Sequence, residues 1–212
     1  MTRVLDGKYL GIVAHYEWCL RTYGDQHLGV DWSSARDAET RYRVMLDLIP
    51  SPRPPRVSVL DFGCGASHLL DFIIKKQIEG IEYTGLDLSP AFIALSRAKH
   101  PSVAYHCVDV LEDANGLTTF DYVVMNGVFT EKRDLSQEEM FAYVSAVLRR
   151  AFALAGRGLA FNVMSADLGW QQWYLFHAPA DRMSALVRAE LTENFVIRAD
   201  YGLTDYTLYL YR

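Results

Sequence analysis

The sequence is short of cysteine: Cys19, Cys64 and Cys107 are three in 212 residues, an odd number with no C-x-x-C spacing. That count and spacing fit unpaired thiols in a reducing, cytoplasmic compartment better than a disulfide scaffold or a zinc site. No apolar run reaches membrane-spanning length, and no basic stretch followed by an apolar one opens the chain, so no membrane partner is expected. Positive charge is scarce as well. Lys and Arg number 21 against 26 Asp and Glu, for a net charge of −5. Adjacent basic residues occur only as Lys75-Lys76, Lys132-Arg133 and Arg149-Arg150, which argues against a nucleic-acid partner. Proline is sparse too, and Ser51-Pro52-Arg53-Pro54-Pro55 concentrates it into a stiff connector that cannot be helical.

What remains is enough for one compact domain over residues 1–212, with 50% hydrophobic and 22% charged residues. The organising stretch is VSVLDFGCGASHLLDFII, residues 57–74. Val57, Val59, Leu60 and Phe62 predict a buried parallel strand; Gly63-Cys64-Gly65 breaks it; Leu69, Leu70, Phe72 and Ile73 then follow at helical spacing. Glycine in such a turn lets the backbone bend sharply and lets a ligand approach the main chain. The third glycine of a dinucleotide fingerprint is absent, with His68 in its place.

The pattern then repeats. Strands are predicted at Tyr83–Leu86 ending in Asp87, Val103–Val108 ending at Asp109, Phe120–Met125 ending at Asn126, and Gly158–Met164. Helices are predicted after Ser89-Pro90, from Ser136 with Glu139 to a stop at Gly156, and over Met183–Leu191. Phe195–Tyr201 and Thr207–Tyr211 are too close for a parallel crossover and must form an antiparallel hairpin. Residues 1–50, with a helix opened by Ser34 and Asp37, form a helical cap on a core of residues 57–212. The expected fold is α/β: a doubly wound, seven-stranded, mostly parallel sheet with one antiparallel strand.

Asp61-Phe62-Gly63-Cys64-Gly65 and the closing hairpin resemble the class I S-adenosylmethionine-dependent methyltransferases, whose first motif reads acid, variable residue, Gly, variable residue, Gly. The resemblance covers roughly residues 57–212. The GVDW segment ending at Trp32 and the tail DYGLTDYTLYLYR are also similar to a group of small bacterial methyltransferases, a likeness that names no acceptor. It implies S-adenosyl-L-methionine as cofactor, with Asp61, Gly63, Cys64 and Gly65 around its methionine end. Asp87 would take the ribose hydroxyls, Leu88 would pack beside the adenine, and Asp109 with the Val110 amide would hold the adenine edge. Asn126 and Gly127 would line the seam to the acceptor, a small molecule presenting a hydroxyl, carboxyl or amine. Asn126-Gly127-Val128-Phe129 has the spacing of an amino-methylating motif but lacks both prolines.

An activated sulfonium methyl needs chiefly an aligned nucleophile for in-line displacement. A hydroxyl or protonated amine would add the need for a general base, for which His15 and His177 are the candidates. Aromatic side chains crowd two segments, residues 9–32 and 170–176, and could shape an acceptor pocket; Trp32, Tyr16, Phe129 and Tyr174 are its expected members. No metal is expected, because Asn126 and Ser165 supply no charge where a catalytic divalent ion would sit. Two other readings fit parts of the pattern: a nicotinamide oxidoreductase, against which His68, Asp61 and the hairpin speak, and a non-catalytic binding protein, which would need neither Asp87 nor Asp109. The sequence leaves the oligomeric state open.

Overall fold

The computed structural model describes residues 7–52, 54–112 and 116–212, so Arg53 of the proline connector lies outside the described residues. Helix α1 (Leu10–Tyr23), a 3-10 turn at His27–Val30 and helix α2 (Ala35–Leu46) form the cap. The Ser34 hydroxyl caps α2 by accepting the Asp37 amide at 3.2 Å.

The core then alternates β1 (Val57–Phe62), α3 (His68–Lys75), β2 (Ile81–Asp87), α4 (Pro90–Lys99), β3 (Ala104–Cys107), β4 (Phe120–Met125), α5 (Gln137–Leu154) and β5 (Ala155–Ser165). It closes with β6 (His177–Ala178), α6 (Ala180–Glu190), β7 (Phe195–Arg198) and β8 (Asp205–Tyr211). Strand order is β3-β2-β1-β4-β5-β8-β7, with the two-residue β6 pairing alongside β5. Only β8 runs against its neighbours. The sheet is therefore the mostly parallel one expected, with its single reversed strand in the terminal hairpin.

Burial explains the composition of the strands. β1 and β4 are buried at nearly every position, as parallel strands covered on both faces must be. One face packs α1, α5 and α6 around Met140, Leu148, Phe161 and Met183; the other packs α2, α3 and part of α4 around Met45, Val59, Leu69 and Ile93. No helix among the described residues is long and apolar enough to cross a membrane.

Several boundaries differ from the sequence expectation, among them three at α5, β3 and β7. α5 passes directly into β5 at Ala155, and Gly156 lies inside the strand instead of stopping the helix. A Cβ at Gly156 would sit 3.1 Å from the Phe120 carbonyl, so its glycine serves strand approach. β3 ends at Cys107, leaving Asp109 in a turn, and β7 ends at Arg198. The direction of chain between β1 and its two neighbours reverses: the chain leaves β1 toward β2, then returns across it to β4. A ligand crevice forms at such a point, outside the carboxyl ends of the strands.

Candidate active site

The crevice has a floor made by consecutive strand ends. Gly63 and Gly65 take positive φ values of 75° and 51°. A Cβ on Gly63 would lie 2.7 Å from the Val128 side chain, so that position excludes other residues by space as well as by conformation. The Gly63 and Cys64 amides donate to the Leu86 carbonyl at 2.7 and 3.0 Å, which ties the turn to β2. Asp87 then anchors from the other side: Oδ2 accepts the Gly65 amide and Oδ1 the Ser89 amide, each at 2.8 Å. Burial raises the Asp87 pKa, and the amides of Ser89 and Gly65 pull against that by stabilising the carboxylate. Each oxygen still has a lone pair for a ligand hydroxyl.

Asp109 is held in the same manner, accepting the Leu111 amide at 2.9 Å and the Tyr9 hydroxyl at 2.6 Å. Leu88, Val108, Val110 and Leu111 supply an apolar wall beside it. Asp61 lines the crevice too but is only 3% exposed, and the Tyr83 hydroxyl donates to it at 2.7 Å. Burial, reinforced by the Asp87 charge, lifts its pKa to about 7. Asn126 completes the row at the end of β4, and its buried Oδ1 has no hydrogen-bond partner in the protein.

The roof comes from the cap. Tyr9, just before α1, and Ile12, Val13 and Tyr16 on it face the floor, joined by Val30 and Trp32. The Tyr16 hydroxyl donates to the Gly127 carbonyl at 3.3 Å. Trp32 presses on the same glycine, where a Cβ would lie 2.7 Å from the indole. A buried polar chain fixes this contact. The Gly127 amide donates to Asn162 Oδ1 at 2.8 Å, Asn162 Nδ2 donates to Asp205 at 2.7 Å, and Asp205 takes Arg41 Nη2 at 2.7 Å and Nε at 3.1 Å. The Arg41 guanidinium lies 4.5 Å over the Trp32 ring, closing the circuit.

The crevice thus gathers Asp61, Gly63, Cys64, Gly65, Asp87, Leu88, Asp109, Val110, Asn126, Gly127, Tyr16 and Trp32. The other expected site residues lie elsewhere. Phe129 is fully buried and packs edge-on against Tyr143 and Phe161, because the turn after Gly127 points it into the core. Tyr174 stacks under Arg133 in the loop after β5 and does not line the crevice. His177, also outside it, has both ring nitrogens engaged: Nδ1 donates to the Ser165 carbonyl at 3.0 Å and Nε2 accepts the Gln172 amide at 3.3 Å. His15 sits behind the roof, its Nε2 2.7 Å from Asp31 Oδ2. Trp170 and Trp173, 46% and 68% exposed, form no lid over the crevice. His68, at the glycine-turn end of the crevice, is paired with Asp25 at 2.8 Å.

Sequence reasoning missed Tyr9, Arg41, Asn162 and Asp205. Asn162 stands in its strand between Phe161 and Val163 and Asp205 between Thr204 and Tyr206, and a polar residue at a buried strand position is the only signal that could have singled them out.

These residues suit an adenosyl ligand. The turn at Gly63–Gly65 lines the crevice, Asp87 offers free lone pairs, and Asn126 Oδ1 is an acceptor in want of a donor. Comparison with known proteins agrees. Residues 60–157 match the family described as a methyltransferase domain. The chain is 28% identical over 93 residues to a malonyl-[acyl-carrier protein] O-methyltransferase of Acetivibrio thermocellus, 43% of this chain and 32% of that one. It is 34% identical over 86 residues to a trans-aconitate 2-methyltransferase of Methylobacterium nodulans, 38% of this chain and 32% of that one. The chain spans between 7% and 32% of the length of the curated relatives it matches. Magnesium protoporphyrin IX methyltransferase of Synechocystis, solved with S-adenosylhomocysteine, shares the fold at a TM-score of 0.64 and 15% identity, over 97% of this chain and 96% of that one. The matched segment is thus that of a methyltransferase domain, and the chain shares its fold with solved methyltransferases that bind S-adenosylmethionine or its demethylated product.

Proposed function

We propose that this protein transfers a methyl group from S-adenosylmethionine to a carboxylate oxygen of a small organic acid. The observation that carries the choice of acceptor is the state of the bases around Gly127. Among the described residues, no histidine lines the acceptor end of the crevice; His15 is paired with Asp31, and His177 lies outside with both nitrogens engaged. The Tyr16 phenol is held protonated, its pKa raised by burial and by the charges of Glu131 and Asp31. A hydroxyl or ammonium acceptor would have to lose a proton to one of these groups. A carboxylate arrives already ionised at neutral pH and needs only to be placed. The two curated relatives named above act on malonyl and aconitate groups by their names, in keeping with an acidic acceptor.

The cofactor, when bound, supplies an activated methyl on a sulfonium centre. Asp87 would accept its ribose hydroxyls, Asp109 and the Val110 amide its adenine edge, and Leu88 would lie against the ring. Asp61 and the glycine turn would receive the amino-acid end. Tyr16 and Trp32 close the crevice over Gly127 and exclude water, while Asn126 Oδ1 offers an acceptor at the seam.

The test uses S-adenosylmethionine labelled in its methyl group with a panel of short mono- and dicarboxylic acids. A carboxylate acceptor gives a methyl ester, so the label is released as volatile methanol by mild alkali. Label in an alkali-stable ether or amine, or no transfer to any acid in the panel, would overturn the assignment. His177→Ala should leave kcat within about twofold, since its ring makes only packing and backbone contacts.

A further inference from the structure

Behind the roof, four polar side chains from three distant parts of the chain meet. His15 and Cys19 stand one turn apart on the same face of α1. Asp31 follows the 3-10 turn, and its left-handed backbone, φ 60°, swings it back to α1. His15 Nε2 is 2.7 Å from Asp31 Oδ2 and 3.5 Å from Cys19 Sγ, and the three donor atoms all lie within 4.8 Å of one another. Glu131, from the loop after β4, is the independent observation. It is 1% exposed, its carboxyl faces that of Asp31, and its buried Oε2 has no hydrogen-bond partner. Arg133 Nε is 2.7 Å from that oxygen but is not aligned to donate to it.

The buried Glu131 carboxyl faces the half-exposed one of Asp31, and two carboxyl groups so placed favour a proton or a cation between them. An imidazole, a thiol and a carboxylate within one coordination sphere suit a borderline-soft divalent ion and disfavour calcium or magnesium, which take oxygen ligands alone. We propose that His15, Cys19 and Asp31 hold a structural zinc ion that draws in the Glu131 carboxylate as its fourth ligand and so staples the cap helix to the loop following β4. A tetrahedral ion with ordinary zinc–sulfur and zinc–nitrogen bonds sets sulfur and nitrogen about 3.5 Å apart, as Cys19 and His15 already are. It would set nitrogen and oxygen roughly 3.3 Å apart, so the half-exposed Asp31 side chain must withdraw slightly from its 2.7 Å contact. Binding replaces the Cys19 S–H bond with an S–metal bond and releases that proton to solvent. None of the four residues lines the crevice, so this site is separate from the methyl-transfer reading and stands without it.

The experiment strips the folded 212-residue chain with chelator and titrates it with cobalt(II) and zinc chloride. The expected result is one metal per chain, with the intense visible bands and thiolate charge-transfer absorption of tetrahedral cobalt. Cys19→Ser should abolish the charge-transfer absorption, His15→Ala should weaken binding at least 100-fold, and Cys107→Ser, at an exposed thiol elsewhere, should change neither. X-ray absorption on the zinc-loaded wild type needs no variant and should show one sulfur at about 2.3 Å among nitrogen and oxygen ligands. Failure to bind one equivalent, a sulfur-free shell, or charge transfer surviving in folded Cys19→Ser would each overturn the proposal.

Discussion

Gly65 and Asp87, 22 residues apart, meet because their strands are neighbours in the sheet; Tyr9 and Asp109, 100 residues apart, meet because a helix from the start of the chain is laid over it. The first pair belongs to the floor of the crevice, the second joins floor to roof. The floor is built from strand ends that the topology must bring side by side, so its residues are set by local pattern. The roof depends on Trp32 and Tyr16 being held through Arg41, Gly127 and Asn162 to Asp205 in the last strand. Floor residues should therefore govern ligand affinity, and roof residues should govern stability and closure.

The largest expected effect falls on the roof. Asp205→Ala leaves Arg41 buried without its partner and strands the Asn162 amide, which should cost about 3–5 kcal/mol in unfolding free energy by denaturant titration. A loss under 1 kcal/mol would mean that the roof does not hang on this pair.

Next comes pH, and it tests the floor. The Asp61 pKa is raised from the ordinary carboxyl range to about 7. Between about pH 4 and pH 7 the unfolded chain therefore releases a proton that the folded chain retains, so this group lowers stability as pH rises through that window and adds no further slope above it. Asp61→Asn, which can still accept from Tyr83, should remove that slope. Its advantage over the wild type should grow to the order of 2–4 kcal/mol at pH 8, read from unfolding curves across pH 4–8. Parallel curves for the two proteins would place the ionisation elsewhere.

Asp87→Ala should weaken S-adenosylhomocysteine by about 1.5–3 kcal/mol, or roughly 10- to 150-fold, through the loss of hydrogen bonds to a charged acceptor. The smallest effect belongs to the contact between the two regions: Tyr9→Phe removes one hydroxyl from Asp109 and should cost about 1 kcal/mol in ligand affinity with little change in fold. If Tyr9→Phe outweighed Asp87→Ala, the division between floor and roof would fail.

The same division explains what could be read from the sequence. The strand–helix alternation, the glycine turn and the closing hairpin are short-range patterns, and they place Asp61, Asp87, Asp109 and Asn126 in one row. Asn126-Gly127 was legible for that reason, but Phe129, two residues on, was not: the backbone at Gly127, φ 78°, turns the chain inward and buries the ring. The aromatic residues of both flanking segments look alike in sequence. Only packing separates Trp32, clamped between Arg41 and Gly127, from Trp173, which faces solvent. Histidines 15 and 177 lie outside the crevice lining, a placement that the residue letter alone does not give. The Arg41–Asp205–Asn162 chain spans 164 positions, and no local pattern reports a contact of that range.

Calorimetric titration of the wild type and Asp87→Ala with S-adenosylhomocysteine, repeated with NAD, tests the central claim most directly. The account predicts one site per chain for S-adenosylhomocysteine, weakened at least tenfold by the substitution, and no heat with NAD. Binding that is absent, indifferent to Asp87, or matched by NAD would contradict it.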